Sequence, residues 1–194
     1  MRHWAAGLIL GALALAPARD PVRAEVLEAS PQHFVIEQSV SIAAPLERSW
    51  ATLRAPQRWW DKEHTYSGDS ANLYLDAQAT GCFCEKLPGK GSVEHGHIVY
   101  VQPPRALRLR TALGPLQAEG VDGALTITLA PEGEGTKVTL SYVVGGFARL
   151  GLEKLAVKVD EVLAVQLAHL KAAAEAAPVD DAPADKPAPP AEHR

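Results

Sequence analysis

Period-two alternation of apolar and polar residues recurs through the middle of the chain, and a three-and-four repeat replaces it near the end. Residues 34–42 (Phe-Val-Ile-Glu-Gln-Ser-Val-Ser-Ile) are rich in β-branched side chains and read as a first strand. Pro45 then opens a helix striped by Leu46, Trp50 and Leu53, and Pro56 opens a second short one carrying Trp59 and Trp60. Residues 64–72 are polar and read as a loop. Strands are expected at 72–76, 80–87, 92–102, 105–113, 122–131 and 136–144, separated by Pro88-Gly89, Pro103-Pro104, Gly114-Pro115 and Gly133-Glu134-Gly135. Leu107 and Leu109 alternate with Arg108 and Arg110, and Leu125, Ile127 and Leu129 with Thr126 and Thr128. That pattern is an antiparallel sheet covered on one face. Over residues 149–176, Leu155, Val159, Val162, Leu163, Gln166 and Leu170 recur at helical spacing, predicting a long amphipathic helix as the cover.

The two ends differ in composition from this middle. Arg2 and His3 precede an apolar stretch from Trp4 to Ala16, too short to span a bilayer, and Val22-Arg23-Ala24 fits a small-x-small cleavage site. Residues 1–24 are therefore expected to be a signal peptide, 25–33 a linker, 34–176 the folded domain, and 177–194 a disordered Pro/Ala-rich tail. The expected location is periplasmic or secreted, with no integral membrane span once the leader is removed. The chain has 19 Lys+Arg against 23 Asp+Glu, net −4. Removing residues 1–24 takes away three arginines and one aspartate and makes the balance more acidic. An acidic domain without basic clusters excludes nucleic acid as a partner class. Oligomeric state leaves no mark on the sequence.

The chemistry-bearing residues concentrate in one hairpin: Gly81-Cys82-Phe83-Cys84-Glu85, a turn through Pro88-Gly89, then Val93-Glu94-His95-Gly96-His97. Residues two apart on a strand share a face. If Leu87 pairs with Ser92, Cys84 lies opposite His95 and Cys82 opposite His97. Two thiols and two imidazoles on one face could hold zinc or copper. The same pattern fits cysteines packed as small hydrophobes, or a Cys82–Cys84 disulfide, for which a regular strand sets the Cα atoms roughly 6.6 Å apart, near the upper limit. Glu85 and Glu94 fall on the opposite face, where a carboxylate in an apolar cavity would act as acid or base. No Gly-x-Ser-x-Gly elbow and no phosphate-binding glycine loop is present.

Strand, two short helices, a long meander and one long helix is the order of the helix-grip fold. With Val40-Ser41-Ile42-Ala43-Ala44-Pro45, the segment from Pro56 to Trp60, Gly81-Cys82-Phe83-Cys84-Glu85, Val99-Tyr100-Val101-Gln102-Pro103-Pro104 and Gly135-Thr136-Lys137-Val138-Thr139-Leu140, residues 34–173 resemble the SRPBCC (START-like) superfamily. The branches resembled most are the polyketide cyclase/dehydrase-like proteins and the homologues of a heat-shock-chaperone ATPase activator. The resemblance implies an α+β domain whose curved antiparallel sheet wraps around the C-terminal helix, enclosing an apolar cavity. It implies a small apolar or amphipathic ligand; no cofactor is expected unless the Cys/His cluster holds zinc or copper. Trp59, Trp60, Phe83, Tyr100 and Gln166 are the expected lining groups. Residues 113–120 form an unusually apolar connection that would cap such a cavity or pack on the long helix. A cyclase- or hydrolase-type enzyme using Glu85 or Glu94, and a metal- or redox-responsive protein using the Cys/His cluster, are the competing expectations.

Overall fold

The computed structural model describes residues 22–176. The expected tail, and the expected leader apart from its last three residues, lie outside them. Eight antiparallel strands form one curved sheet in the order β1-β2-β8-β7-β6-β5-β4-β3. They are β1 Arg23–Ser30, β2 His33–Ile42, β3 Leu73–Leu75, β4 Cys82–Leu87, β5 Gly91–Gln102, β6 Ala106–Arg110, β7 Gly120–Glu132 and β8 Gly135–Phe147. Two helices complete the α+β helix-grip domain: α1 Leu46–Leu53 and α2 Leu152–Ala176.

β1 corrects the expectation of a linker at 25–33. Val26 pairs with Ile36 and Ala29 with Phe34, so this segment is the first edge of the sheet, with a bulge that leaves Leu27 outside. The strand begins at Arg23, so the ladder includes Arg23 and Ala24 from the expected leader.

Strict alternation in the middle strands builds the core. Phe34, Ile36, Val40 and Ile42 of β2 and Val138, Leu140, Tyr142 and Val144 of β8 all point inward and are buried. α2 lies mainly across β1 and β2 and also touches α1. It buries Leu152, Ala156, Leu163, Leu167, Leu170 and Ala174. Two polar ties fix it: Gln38 Nε2 donates to the carbonyl and carboxylate of Asp160, each at 2.7 Å, and Lys171 Nζ donates to the Ser41 carbonyl. Because α2 sits over the β1-β2 end, the inner face of β4 and β5 is left to other segments. Three single-turn 3-10 stretches, Pro56–Arg58, Lys62–His64 and Ser70–Asn72, run there between α1 and β3.

The register of the β4–β5 hairpin differs from the expected one. The Pro88–Lys90 turn pairs Leu87 with Gly91, so Cys84 faces Glu94 rather than His95. A bulge then absorbs His95: Phe83 pairs with Gly96, and Cys82 opposes His97 as expected. A second bulge between Ile98 and Tyr100 turns both Val99 and Tyr100 to the outside.

Candidate functional site

The first bulge decides what faces inward. His95 and Gly96 are both buried, which regular alternation forbids for neighbours. A Cβ at position 96 would stand 3.0 Å from both Leu109 Cδ2 and Thr111 Cβ, so glycine is what lets the strand kink inward there. The kink aims the His95 ring at Glu85. Glu85 is fully buried, and its carboxylate accepts from Tyr66 N (3.0 Å), Ser67 N (2.5 Å) and His95 Nε2 (2.9 Å). Burial works to raise its pKa, but hydrogen bonding from the Ser67 side chain, the Tyr66 and Ser67 backbone and His95 outweighs it and holds Glu85 below the usual glutamate range. Burial is also the largest influence on His95 and lowers its pKa, against the pull of Glu85. The pair is therefore a neutral imidazole beside an ionised carboxylate. Thr111 fixes the His95 backbone by donating to its carbonyl oxygen.

Aromatic rings continue from this pair to the rim. Phe83 lies 4.9 Å from the His95 ring and Tyr66 5.7 Å from it, while Trp60 lies 5.0 Å from Phe83 and Trp59 5.4 Å from Trp60. Beside them opens a cleft of about 610 Å³. One wall is α2, through Leu155, Val159, Val162 and Leu163. A second is the connection at residues 113–116, and a third the segment 63–66 with Trp60. His95 contributes to the lining, and the exposed Glu63 and Lys158 stand at the rim.

The expected lining residues divide. Trp60 borders the cleft, and Trp59 and Phe83 are buried behind it. Tyr100 lies on the outer face, 42% exposed, with Arg108 over its ring and its hydroxyl donating to Gln102, because the second bulge reverses its side. Gln166 is buried and fully engaged: its Oε1 accepts from Asp61 N at 2.9 Å and its Nε2 meets His64 Nδ1 at 3.0 Å. It pins the 61–64 segment to α2 rather than facing the cleft. Glu94 is exposed beside His97 on the outer face, so of the two carboxylates only Glu85 is internal.

The four candidate metal ligands do not meet. Cys82 and Cys84 are joined in a disulfide, with Cα atoms 5.5 Å apart, closer than a regular strand provides. His95 points inward to Glu85, while His97 is half exposed on the far side. Among the described residues no three His, Cys, Asp or Glu side chains are grouped to hold a metal ion. Sequence reasoning placed Leu155, Val159 and Val162 on the helix's apolar stripe without separating them from the sheet-facing positions. It missed Tyr66, whose polar surroundings read as loop.

A curved antiparallel sheet gripping a C-terminal helix, with a cleft at the end the helix leaves uncovered, defines a helix-grip domain of SRPBCC type. The chain belongs to the polyketide cyclase / dehydrase and lipid transport family, which matches residues 33–175. Similar solved structures include CalU16 from Micromonospora echinospora, at 18% identity over 78% of this chain and 87% of that one, TM-score 0.50. An uncharacterized protein from Rhizobium leguminosarum is similar at 19% identity over 80% and 99%, TM-score 0.54. EF2215 from Enterococcus faecalis, described as a conserved protein of unknown function, is similar at 14% over 75% and 73%, TM-score 0.54. At these identities the likeness is one of fold. No curated protein matches the chain. Among the described residues no helix is long and apolar enough to cross a membrane.

Proposed function

We propose that the protein binds a small apolar or amphipathic molecule in the cleft between α2, the 113–116 connection and the 63–66 segment, and that it does so after export. The observation carrying this reading is the cleft itself: about 610 Å³, walled mainly by Leu113, Leu116, Leu155, Val159, Val162 and Trp60. Apolar walls with a few placed polar groups suit a drug-sized ligand. The family description, which includes lipid transport, supports a hydrophobic ligand. Export is supported by the basic-then-apolar N-terminus and by a disulfide that persists in oxidising compartments. The reading calls on no cofactor.

Native mass spectrometry of protein recovered from the periplasm of an expressing bacterium tests both halves. The expected result is an organic mass lost on denaturation and a chain beginning at Glu25. Protein found only in the cytoplasmic fraction, with its N-terminus unprocessed, overturns export. An unliganded mass, with no binding of added apolar probes, overturns the carrier role.

Glu85 and His95 favour one second reading, a cyclase- or hydrolase-type enzyme. A buried, ionised carboxylate orienting a neutral imidazole is an arrangement that serves general-base chemistry. Here His95, not Glu85, would meet the substrate, because His95 lines the cleft while Glu85 is fully buried behind it. Turnover abolished in His95→Phe, on a substrate found by the mass measurement, would establish it.

A further inference from the structure

The inference drawn here rests on the cleft being the ligand site. Glu85 is ionised and can only accept hydrogen bonds, so the proton in its 2.9 Å contact with His95 sits on Nε2. A neutral imidazole with its proton on Nε2 carries a lone pair on Nδ1. Among the described residues nothing donates to that nitrogen, and it is not among the polar atoms closed off without a partner. The ring is 4% exposed overall, and it lines the cleft. What reaches Nδ1 must therefore arrive through the cleft.

The other polar groups nearby are already engaged. Thr111 donates to the His95 carbonyl. The Tyr142 hydroxyl donates to Thr111 O and accepts from Leu113 N, both at 3.2 Å. The Tyr66 hydroxyl donates towards Gly114 O and Gln117 Oε1, and His64 Nδ1 meets Gln166 while its Nε2 belongs to a ring one-third exposed to water. Glu63 and Lys158 are exposed at the rim and keep their water. The deep part of the cleft thus offers apolar walls and one unanswered acceptor.

We propose that His95, held in one tautomer by Glu85, is the acceptor that selects ligands carrying a hydroxyl donor on an apolar body. A ligand oxygen without a proton brings its lone pair against that of Nδ1 and leaves both buried and unpaired, which is costly. A hydroxyl answers the nitrogen and removes that cost. Glu85 is a positioning residue: its two backbone donors fix the carboxylate, and the carboxylate fixes the ring.

The test compares 2-naphthol with 2-methoxynaphthalene, which differ in the hydroxyl proton, by calorimetric or fluorescence titration of the full exported chain at neutral pH. The wild-type protein is expected to prefer 2-naphthol by roughly tenfold, the size of one net hydrogen bond. The preference should vanish in His95→Phe and shrink in Glu85→Gln, whose amide no longer dictates the tautomer. A readout on the wild type keeps the test independent of how the variants fold. The imidazole ¹⁵N spectrum should show a pyridine-like Nδ1 whose resonance shifts with 2-naphthol and not with the ether. Equal affinity for both probes, or an unmoved Nδ1 resonance in the bound state, overturns the acceptor role while leaving the cleft reading intact. Failure of both probes to bind overturns the cleft reading and the acceptor role with it.

Discussion

Just inside the bulged edge strand β1, β2 pairs with β8 from His33–Gly145 to Ile42–Thr136 without a break, and β8 with β7 from Phe147–Gly120 to Gly135–Glu132. Their inward positions are almost all apolar and sealed. At the other end, β5 is bulged against both neighbours and β3 is three residues long, and this is where Glu85, His95 and Thr111 are buried. The same sheet therefore does two jobs by two rules. Unbroken pairing with strict alternation makes a wall that a helix can cover. An inserted residue breaks the alternation, turns a polar side chain inward and leaves it where the helix does not reach.

Substitutions should separate the two ends. Glu85→Ala strands Tyr66 N, Ser67 N and the His95 imidazole at once, and is expected to cost about 3–5 kcal/mol in urea unfolding. A loss below about 1 kcal/mol would mean the bulged end carries no buried polar network. Gln166→Leu keeps the volume but orphans Asp61 N. It should cost about 1–3 kcal/mol and speed exchange of the Asp61 amide; unchanged exchange would show that the 61–64 segment is held by packing alone.

Glycines sharpen the contrast. At Gly96 a new Cβ meets Leu109 and Thr111 at 3.0 Å, so Gly96→Ala should cost about 1–3 kcal/mol. At Gly145, in the regular end, the nearest atom is Gln32 O at 3.8 Å, and Gly145→Ala should stay within about 0.5 kcal/mol of wild type. Equal effects would erase the distinction.

The remaining expected effect is in pH. His95 has a lowered pKa in the fold, so the unfolded chain takes up its proton first as pH falls below 6.5. Stability should decline from there down to the native pKa of His95. Glu85, lowered from 4.5, adds a further decline below that value. The first decline should be absent in His95→Phe. A melting temperature flat from pH 7 to 5 in the wild type would contradict the buried neutral imidazole.

Strong periodicity made β2, α1, the meander and α2 legible, because each repeats its burial pattern over enough residues to be unmistakable. β1 escaped notice: Arg-Ala-Glu-Val-Leu-Glu-Ala-Ser alternates poorly across its bulge and adjoins the leader-like segment. The hairpin was legible as a place where chemistry gathers, but not as an arrangement. A single inserted residue moves each following side chain to the other face. Nothing in Val-Glu-His-Gly-His marks His95 as the inserted one, except Gly96 seen in hindsight. The same mechanism carried Tyr100 outward. Glu85 was read as an acid or base facing an apolar cavity; it is instead buried behind the cleft with its pKa lowered, because its donors come from a polar loop and from a histidine read as a metal ligand. Long-range partners of that kind leave no local periodicity.

Tyr66 joins two walls of the cleft. Its backbone N–H holds Glu85 on one side, and its hydroxyl reaches Gly114 O at 3.1 Å and Gln117 Oε1 at 3.2 Å on the other. A phenol has one proton, so it satisfies only one of those oxygens at a time and can pass between them without letting go of the opposite wall. Parting the 63–66 and 113–116 walls would break that contact, an exposed hydrogen bond worth about 1 kcal/mol. In the proposed carrier this tyrosine would bear on how readily a guest enters and leaves, so that its effect is read in exchange rate as well as in equilibrium.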